Sequence, residues 1–186
     1  MNASQSNLIN VLQQFHHRYF QSYQQQHHQP PTVEYDSDWP SPCEQGGASN
    51  GETVHWHPVP CAPPLDFANI EQALELELHP DIKTYFGSFF CANLAAEASD
   101  GKLELLFPWS QKDFERLQEN MLGHIWMKRK LRQQETVFFA VTDIDDVILS
   151  MVNSTGEIWA EKVGKKPHRK IAGSMTEFIT SLEPVV

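Results

Sequence analysis

Between residues 136 and 163 the chain alternates three strand-length apolar segments with two links only a few residues long. Residues 136–142, 146–153 and 157–163 read as strands, with turns at Asp143 to Asp145 and at Ser154-Thr155-Gly156. Parallel neighbours need a crossover of roughly a dozen residues, so links this short force the strands into an antiparallel meander. A second hairpin is expected just upstream, with Cys91 to Ala98 and Lys102 to Phe107 flanking the turn Ser99-Asp100-Gly101.

Helical patterns surround these strands. Leu8, Leu12, Phe15, Tyr19 and Tyr23 recur at helical spacing, and the Gln/His-rich run 24–29 with Pro30-Pro31 ends that element. Asp66 is placed to cap a short helix carrying Phe67, Ile70 and Leu74, and another helix is expected from Pro80 through Tyr85. The strongest helix spans about 110–131, opened by Ser110 with Asp113, with Phe114, Leu117, Met121, Ile125 and Leu131 on its buried side. Its acidic start and basic end, Lys128, Arg129, Lys130 and Arg132, match the helix macrodipole. A last helix over 174–183 starts at Ser174 with Glu177, and Thr53 to Val59 has a strand-like centre at Trp56. Residues 30–51, rich in Pro, Gly and Ser, read as a long acidic loop. Helices, then strands, then a helix predict an α+β fold, a mainly antiparallel sheet with helices packed against it, in one domain over residues 1–186.

Charge divides unevenly along the chain. Residues 1–110 hold thirteen Asp and Glu against three Lys and Arg, whereas residues 111–186 hold eleven of each, so the net −10 arises in the first part. A field of that sign repels nucleic acid and anionic lipid and favours basic partners. No secretory signal is legible at the N-terminus, and no apolar run approaches the roughly 20 residues of a membrane span. Cys43, Cys61 and Cys91 are an odd, dispersed set and read as reduced thiols of a cytoplasmic protein.

Sites of chemistry are weakly signalled. Cys43, His55, His57 and Cys61 lack the paired spacing of zinc clips, and Asp143, Asp145 and Asp146 lack the glycine and distal Glu of a calcium loop. Hydrolase, phosphate-loop and dinucleotide motifs are absent from the sequence. His124 and Glu119 are five apart on a helix and do not stack, so His124 reads as a half-buried helix residue. The basic run Lys165 to Lys170 reads as a solvated loop, with contact to a membrane surface as the alternative. No catalytic residue, cofactor or metal is expected.

Several ordered segments together resemble a known family. They are Ser41-Pro42-Cys43, Trp56 and Pro58, Trp109-Ser110 with Asp113-Phe114, Gln118-Glu119-Asn120-Met121-Leu122-Gly123-His124, Thr136 to Ala140, and Asn153-Ser154-Thr155-Gly156-Glu157. In order and spacing the chain resembles the Syd family of SecY-interacting proteins, within the SUKH superfamily of binding and immunity proteins. The resemblance implies a non-enzymatic factor, peripheral at the cytoplasmic side of the inner membrane and also soluble in the cytoplasm. It further implies an acidic concave surface that meets the basic cytosolic loops of the SecY export channel, and a factor that monitors or negatively regulates uncomplexed SecY. Membrane contact would be indirect, through SecY, with no nucleic acid and no small-molecule substrate.

Given that implication, the contact residues expected are Glu34, Asp36, Asp38, Glu44, Glu97, Asp113, Glu115 and Glu119, acids of the loop or of exposed faces, with Trp39 as a candidate aromatic anchor. Two other readings remain at this point: an immunity-type protein that neutralises a basic toxin, and a metal-dependent enzyme.

Overall fold

The meander is the centre of a seven-stranded sheet in which every neighbouring pair is antiparallel. The computed structural model describes residues 3–186. Along the chain these form α1 (Ala3–His27), β1 (Thr32–Glu34), β2 (Glu44–Gln45), β3 (Thr53–Trp56), β4 (Val59–Pro60), α2 (Ala68–Leu74), α3 (Pro80–Gly87), β5 (Phe89–Phe90) and β6 (Leu94–Ala98). There follow β7 (Gly101–Leu105), α4 (Gln111–Lys130), β8 (Thr136–Thr142), β9 (Val147–Val152), β10 (Ile158–Lys162), β11 (Arg169–Ala172), α5 (Met175–Ser181) and β12 (Glu183–Pro184). The large sheet runs β11-β10-β9-β8-β7-β6-β12, while β1-β3-β2 and β4-β5 make two small sheets. The architecture is α+β with a mainly antiparallel sheet.

Side chains alternate across each strand and so sort onto two faces. One face carries Leu94, Ala96, Leu103, Leu105, Val137, Leu149, Met151, Ile158 and Ala160, all buried. Against it pack α1, α3 and α5, with Phe139 touching Tyr85 of α3 and Phe178 of α5 at ring distances of 5.6 Å. A register shift between Phe138 and Ala140 lets Phe139 and Ala140 both turn inward and swings Val141 out to solvent. Leu8, Leu12, Phe15 and Tyr19 of α1 join the same core, and Arg18 ties α1 to the chain end through the Leu182 carbonyl (2.9 Å) and Glu183 (3.2 Å).

The opposite face carries α4, held by a polar contact set with no exposure at its centre. Lys128 and Glu161 are both 0% exposed. The Lys128 ammonium donates to Glu161 Oε2 (2.5 Å), the Lys165 carbonyl (2.8 Å) and Gln133 Oε1 (3.3 Å), which uses all three of its protons. Glu161 Oε1 accepts from Thr136 Oγ1 and Ser150 Oγ, each at 2.9 Å, and lies 3.3 Å from His124 Nε2. Burial pushes the Glu161 carboxyl up in pKa, but hydrogen bonds from His124, Lys128 and Thr136 outweigh it and hold the group below its ordinary value.

The turn at Asn153 to Glu157 fastens α3 in place. Asn153 Oδ1 accepts from His79 N (2.8 Å), and its amide donates to the Glu77 carbonyl (2.9 Å). Gly156 has φ +75°, and a Cβ there would come within 2.7 Å of the His79 ring, so glycine is required for both reasons.

Several expectations need correction. Residues 30–51 are not loop throughout, since they contribute β1 and β2 to the small sheet around β3. The basic run ends in the edge strand β11, where Arg169 pairs with Asp100 and Lys170 with Glu157. Lys128, grouped from sequence with the basic end of the helix, is buried. Leu131, expected inside, is 47% exposed because α4 stops at Lys130 and Arg132 turns the chain away at φ +52°. The last helix ends at Ser181, and Glu183, expected within it, belongs to β12.

Replacing Lys128 by Met leaves Glu161 charged, buried and without its cation, and should cost about 3–5 kcal/mol in urea unfolding. Because Glu161 binds its proton more weakly folded than unfolded, its contribution is complete above the ordinary value of 4.5 and is lost as pH falls further. Stability of the wild type should therefore decline below that pH more steeply than stability of the Lys128→Met variant.

Candidate functional site

The acidic loop is docked on the first turns of α4. Ser110 N-caps the helix by accepting from Asp113 N (3.3 Å), and Asp113 Oδ2 reaches back to accept from Trp109 N (2.9 Å). Ser41 Oγ donates to the Trp109 carbonyl (2.5 Å) and accepts from Cys43 N (3.0 Å), while Trp56 meets Trp109 edge-on at 6.0 Å. Further out, the Trp39 ring lies 4.7 Å from Lys112 Nζ and 4.8 Å from the Arg116 guanidinium. These two cations are four residues apart, so one helical face presents both to the same indole. Lys112 also donates to the Asp38 carbonyl (3.3 Å).

The loop is braced within itself as well. Asp36 Oδ1 accepts from Asp38 N (2.9 Å), Asn50 Oδ1 accepts from Ser37 N (2.7 Å), and Tyr35 N donates to the Glu52 carbonyl (2.8 Å).

The eight expected contact acids fall into three groups. Glu34, Asp36 and Asp38 are exposed on β1 and the turn after it, and Glu115 and Glu119 are exposed one turn apart on α4. Glu44 and Asp113 are half-buried and already engaged, Glu44 with Ser41 N (3.4 Å) and Asp113 as the helix cap. Contacts through Lys112, Trp39, Ser41 and Trp109 link Asp38, Glu44 and Asp113 to one end of α4. Glu97 is exposed on β6, opposite Lys102 and Glu183.

The registers Ala95↔Glu104, Glu104↔Val141, Val141↔Ile148 and Ile148↔Glu161 place those five residues on one sheet face, and Glu97 shares it. That is the face α4 covers at β8, which lies two strands, about 10 Å, from β6. Between them is a shallow depression of 230 Å³ lined in part by Ala95, Lys102, Glu104 and Val141.

Ion pairing engages seven of the sixteen other acids and leaves nine of them unpaired among the described residues. Among the described residues, seven acids stand within 4.0 Å of a cation, namely Glu71, Glu77, Asp100, Glu135, Glu157, Glu161 and Glu183. None of the eight expected contact acids is among them.

The other sites weighed from sequence resolve differently. Among the described residues no three of His, Cys, Asp and Glu gather as a metal site. His57 stacks on Phe20 at 4.6 Å, and Cys43 and Cys91 are buried. Burial pushes the Cys43 and Cys61 thiols up to about 11, leaving both protonated at neutral pH. His124 bonds Thr136 at 3.0 Å rather than turning toward Glu119. Sequence reasoning missed Lys112 and Arg116 as the seat of Trp39. Their four-residue spacing beside an isolated loop tryptophan was the available signal.

Trp39→Ala should remove the tether between loop and helix at a stability cost of about 1–2 kcal/mol. Hydrogen exchange should then speed up over residues 35–45, with β8 to β10 unchanged.

Comparison with known proteins bears on the whole of this arrangement. A family model described as "Syd protein (SUKH-2)" matches residues 9–184. A protein named Protein Syd from Colwellia psychrerythraea is 47% identical over 98% of this chain and 95% of its own length. Its namesakes from Alteromonas mediterranea and Shewanella loihica are 46% and 40% identical, over 82% and 95% of this chain and 84% and 82% of their own lengths. With the family model matching residues 9–184, every quoted sequence segment inside that span and relatives up to 47% identical over nearly the whole length, this chain belongs to the Syd family.

Proposed function

We propose that the protein is a non-enzymatic binding factor, working as one unit over its whole length, that docks on the basic cytosolic loops of the SecY export channel. It acts there on SecY outside a proper translocase complex, as a peripheral factor at the cytoplasmic side of the inner membrane. Among the described residues no helix is long and apolar enough to cross a membrane, which agrees with a peripheral role. The observation that carries the reading is that five of the expected contact acids are exposed together on β1, the turn after it and α4, and that none of the eight holds an internal cation, as is also true of nine other acids among the described residues. A carboxylate without a partner gives up no ion pair when a Lys or Arg arrives.

Glu34, Asp36, Asp38, Glu115 and Glu119 supply the exposed charge in this reading, Glu97 extends it across the sheet face, and Glu44 and Asp113 hold the loop and helix in position. One exposed pair contributes about 0–1 kcal/mol, so affinity rests on their number and on the net charge of −10.

Changing Asp36, Asp38, Glu115 and Glu119 together to Ser should leave the melting temperature within a few degrees of wild type. Binding to SecY complex in lipid nanodiscs should weaken about tenfold or more at about 50 mM salt. Wild-type binding should also weaken strongly at about 500 mM salt, where screening shortens the reach of exposed charge. A quadruple variant that binds as tightly as wild type would refute the electrostatic reading. A wild type that binds at neither salt would turn attention to a basic toxin as the partner.

A further inference from the structure

Two segments that contain no acid meet at the C-terminal end of α4. Residues 126–133 read Trp-Met-Lys-Arg-Lys-Leu-Arg-Gln, and residues 163–168 read Val-Gly-Lys-Lys-Pro-His. The second segment, the loop between β10 and β11, is fastened to the first. Lys128 Nζ donates to the Lys165 carbonyl (2.8 Å), Gln133 Nε2 donates to the Gly164 carbonyl (3.2 Å), and a Cβ on Gly164 would lie 3.9 Å from Met127 Sδ.

Six cations are gathered in this way. Two are engaged inside the fold, Lys128 with Glu161 and Arg129 with Glu135. Lys130, Arg132, Lys165 and Lys166 are exposed, and among the described residues no carboxylate stands within 4.0 Å of any of them. Apolar surface accompanies the charge, since Trp126 is 52% and Leu131 47% exposed. Trp126 and Lys130 stand four apart on one stripe, and Leu131 stands four from Met127, the residue beside Gly164. The macrodipole accounts for cations at the end of a helix, but not for Lys165 and Lys166 on another element. Unpaired acids begin at the margins, with Glu119 two turns before Trp126 and Asp146, whose carbonyl accepts from Val163 N (3.0 Å).

We infer that the C-terminal end of α4 and the loop over 163–168 form a contact surface for an anionic lipid bilayer. A bilayer answers both halves of the patch: headgroup phosphates meet the four cations, while the indole and the leucine enter the boundary between headgroups and acyl chains. A nucleic acid would answer the cations and leave Leu131 in water. The net charge of −10 repels an anionic surface as a whole, but the length of α4 separates the two fields. Lys112, beside the acidic loop, lies roughly 27 Å along the helix from Lys130, about three Debye lengths at physiological ionic strength. The patch therefore acts with its own sign, and the contact is weak and orienting. It is direct, additional to any contact made through SecY, and leaves the acidic loop at the other end of α4 available to a protein partner.

Binding to protein-free vesicles tests this, with phosphatidylcholine alone set against phosphatidylcholine containing about 40% phosphatidylglycerol, at about 50 mM salt. Wild type should bind the anionic vesicles and not the neutral ones. Changing Lys130, Arg132, Lys165 and Lys166 together to Gln should weaken that binding about tenfold or more. The melting temperature should stay the same, because none of the four makes an internal ion pair among the described residues. Trp126→Ala combined with Leu131→Ser keeps every charge and should also weaken binding about tenfold. A wild type that binds neither vesicle, or both variants binding within about twofold of wild type, would overturn the bilayer contact. So would a wild type that binds single-stranded RNA but no vesicle, which makes nucleic acid the occupant. A dimer in gel filtration that the quadruple variant dissolves, with no vesicle binding, would make a second copy the occupant and overturn it equally. The vesicles contain no SecY, so failure here leaves the docking reading standing, and failure of that reading leaves this one.

Discussion

The buried contact between Lys128 and Glu161 fixes α4 in two respects. Residues 33 positions apart meet with no solvent around them, and Thr136, Ser150, His124 and the Lys165 carbonyl complete the set. Replacing such a pair by packed apolar side chains is commonly neutral for stability, so its value here lies in orientation. Three side chains from three strands and a loop carbonyl must meet two side chains of α4. The helix therefore cannot rotate or slide without leaving a buried charge alone. Once that rotation is set, Met121 and Ile125 face the core while Glu115, Glu119 and Trp126 face solvent.

The loop over 30–51 depends on the same placement. Besides its pairing with β3, its hold on the body runs through Trp109, Lys112 and Arg116, at and just before the start of α4. One polar clamp at the C-terminal half of the helix thus positions an acidic loop at its N-terminal half. Gln118 to His124 illustrates the division of labour within one segment. Met121 and His124 serve the interior, whereas Glu119 and Gly123 meet solvent and have no partner among the described residues. The turn Asn153 to Glu157, by contrast, is explained by packing, since Asn153 and Gly156 fasten the start of α3.

Much of the architecture could be read from local pattern. Hairpin-length links determined the antiparallel meander, and Ser110 with Asp113 located the start of α4 to within a residue. What escaped was decided at long range. The strand β11 has one buried position, Ala172, and its charged residues read as loop because an edge strand needs no alternation. β12 is two residues long and exists through its pairing with β6. Lys128 reads as a dipole-complementing cation until Glu161 is brought to it. Residue type and helical spacing sufficed to expect Glu115 and Glu119 at the surface of α4, where they are exposed. The bracing roles of Glu44 and Asp113, and the cations beneath Trp39, required the loop to be seen on the helix. Trp126 gave no signal in sequence because its solvent-facing side depends on the rotation of α4.

In the proposed function, the loop over 30–51 and the exposed acids of α4 together form the face that meets a basic protein partner. Hydrogen exchange of the protein alone and bound to SecY complex in nanodiscs tests this most directly. Binding should slow exchange over residues 34–45 and 112–127 and leave α5 and β11 unchanged. Protection concentrated on α5, β11 or the far side of α1, with none on the loop or α4, would contradict it.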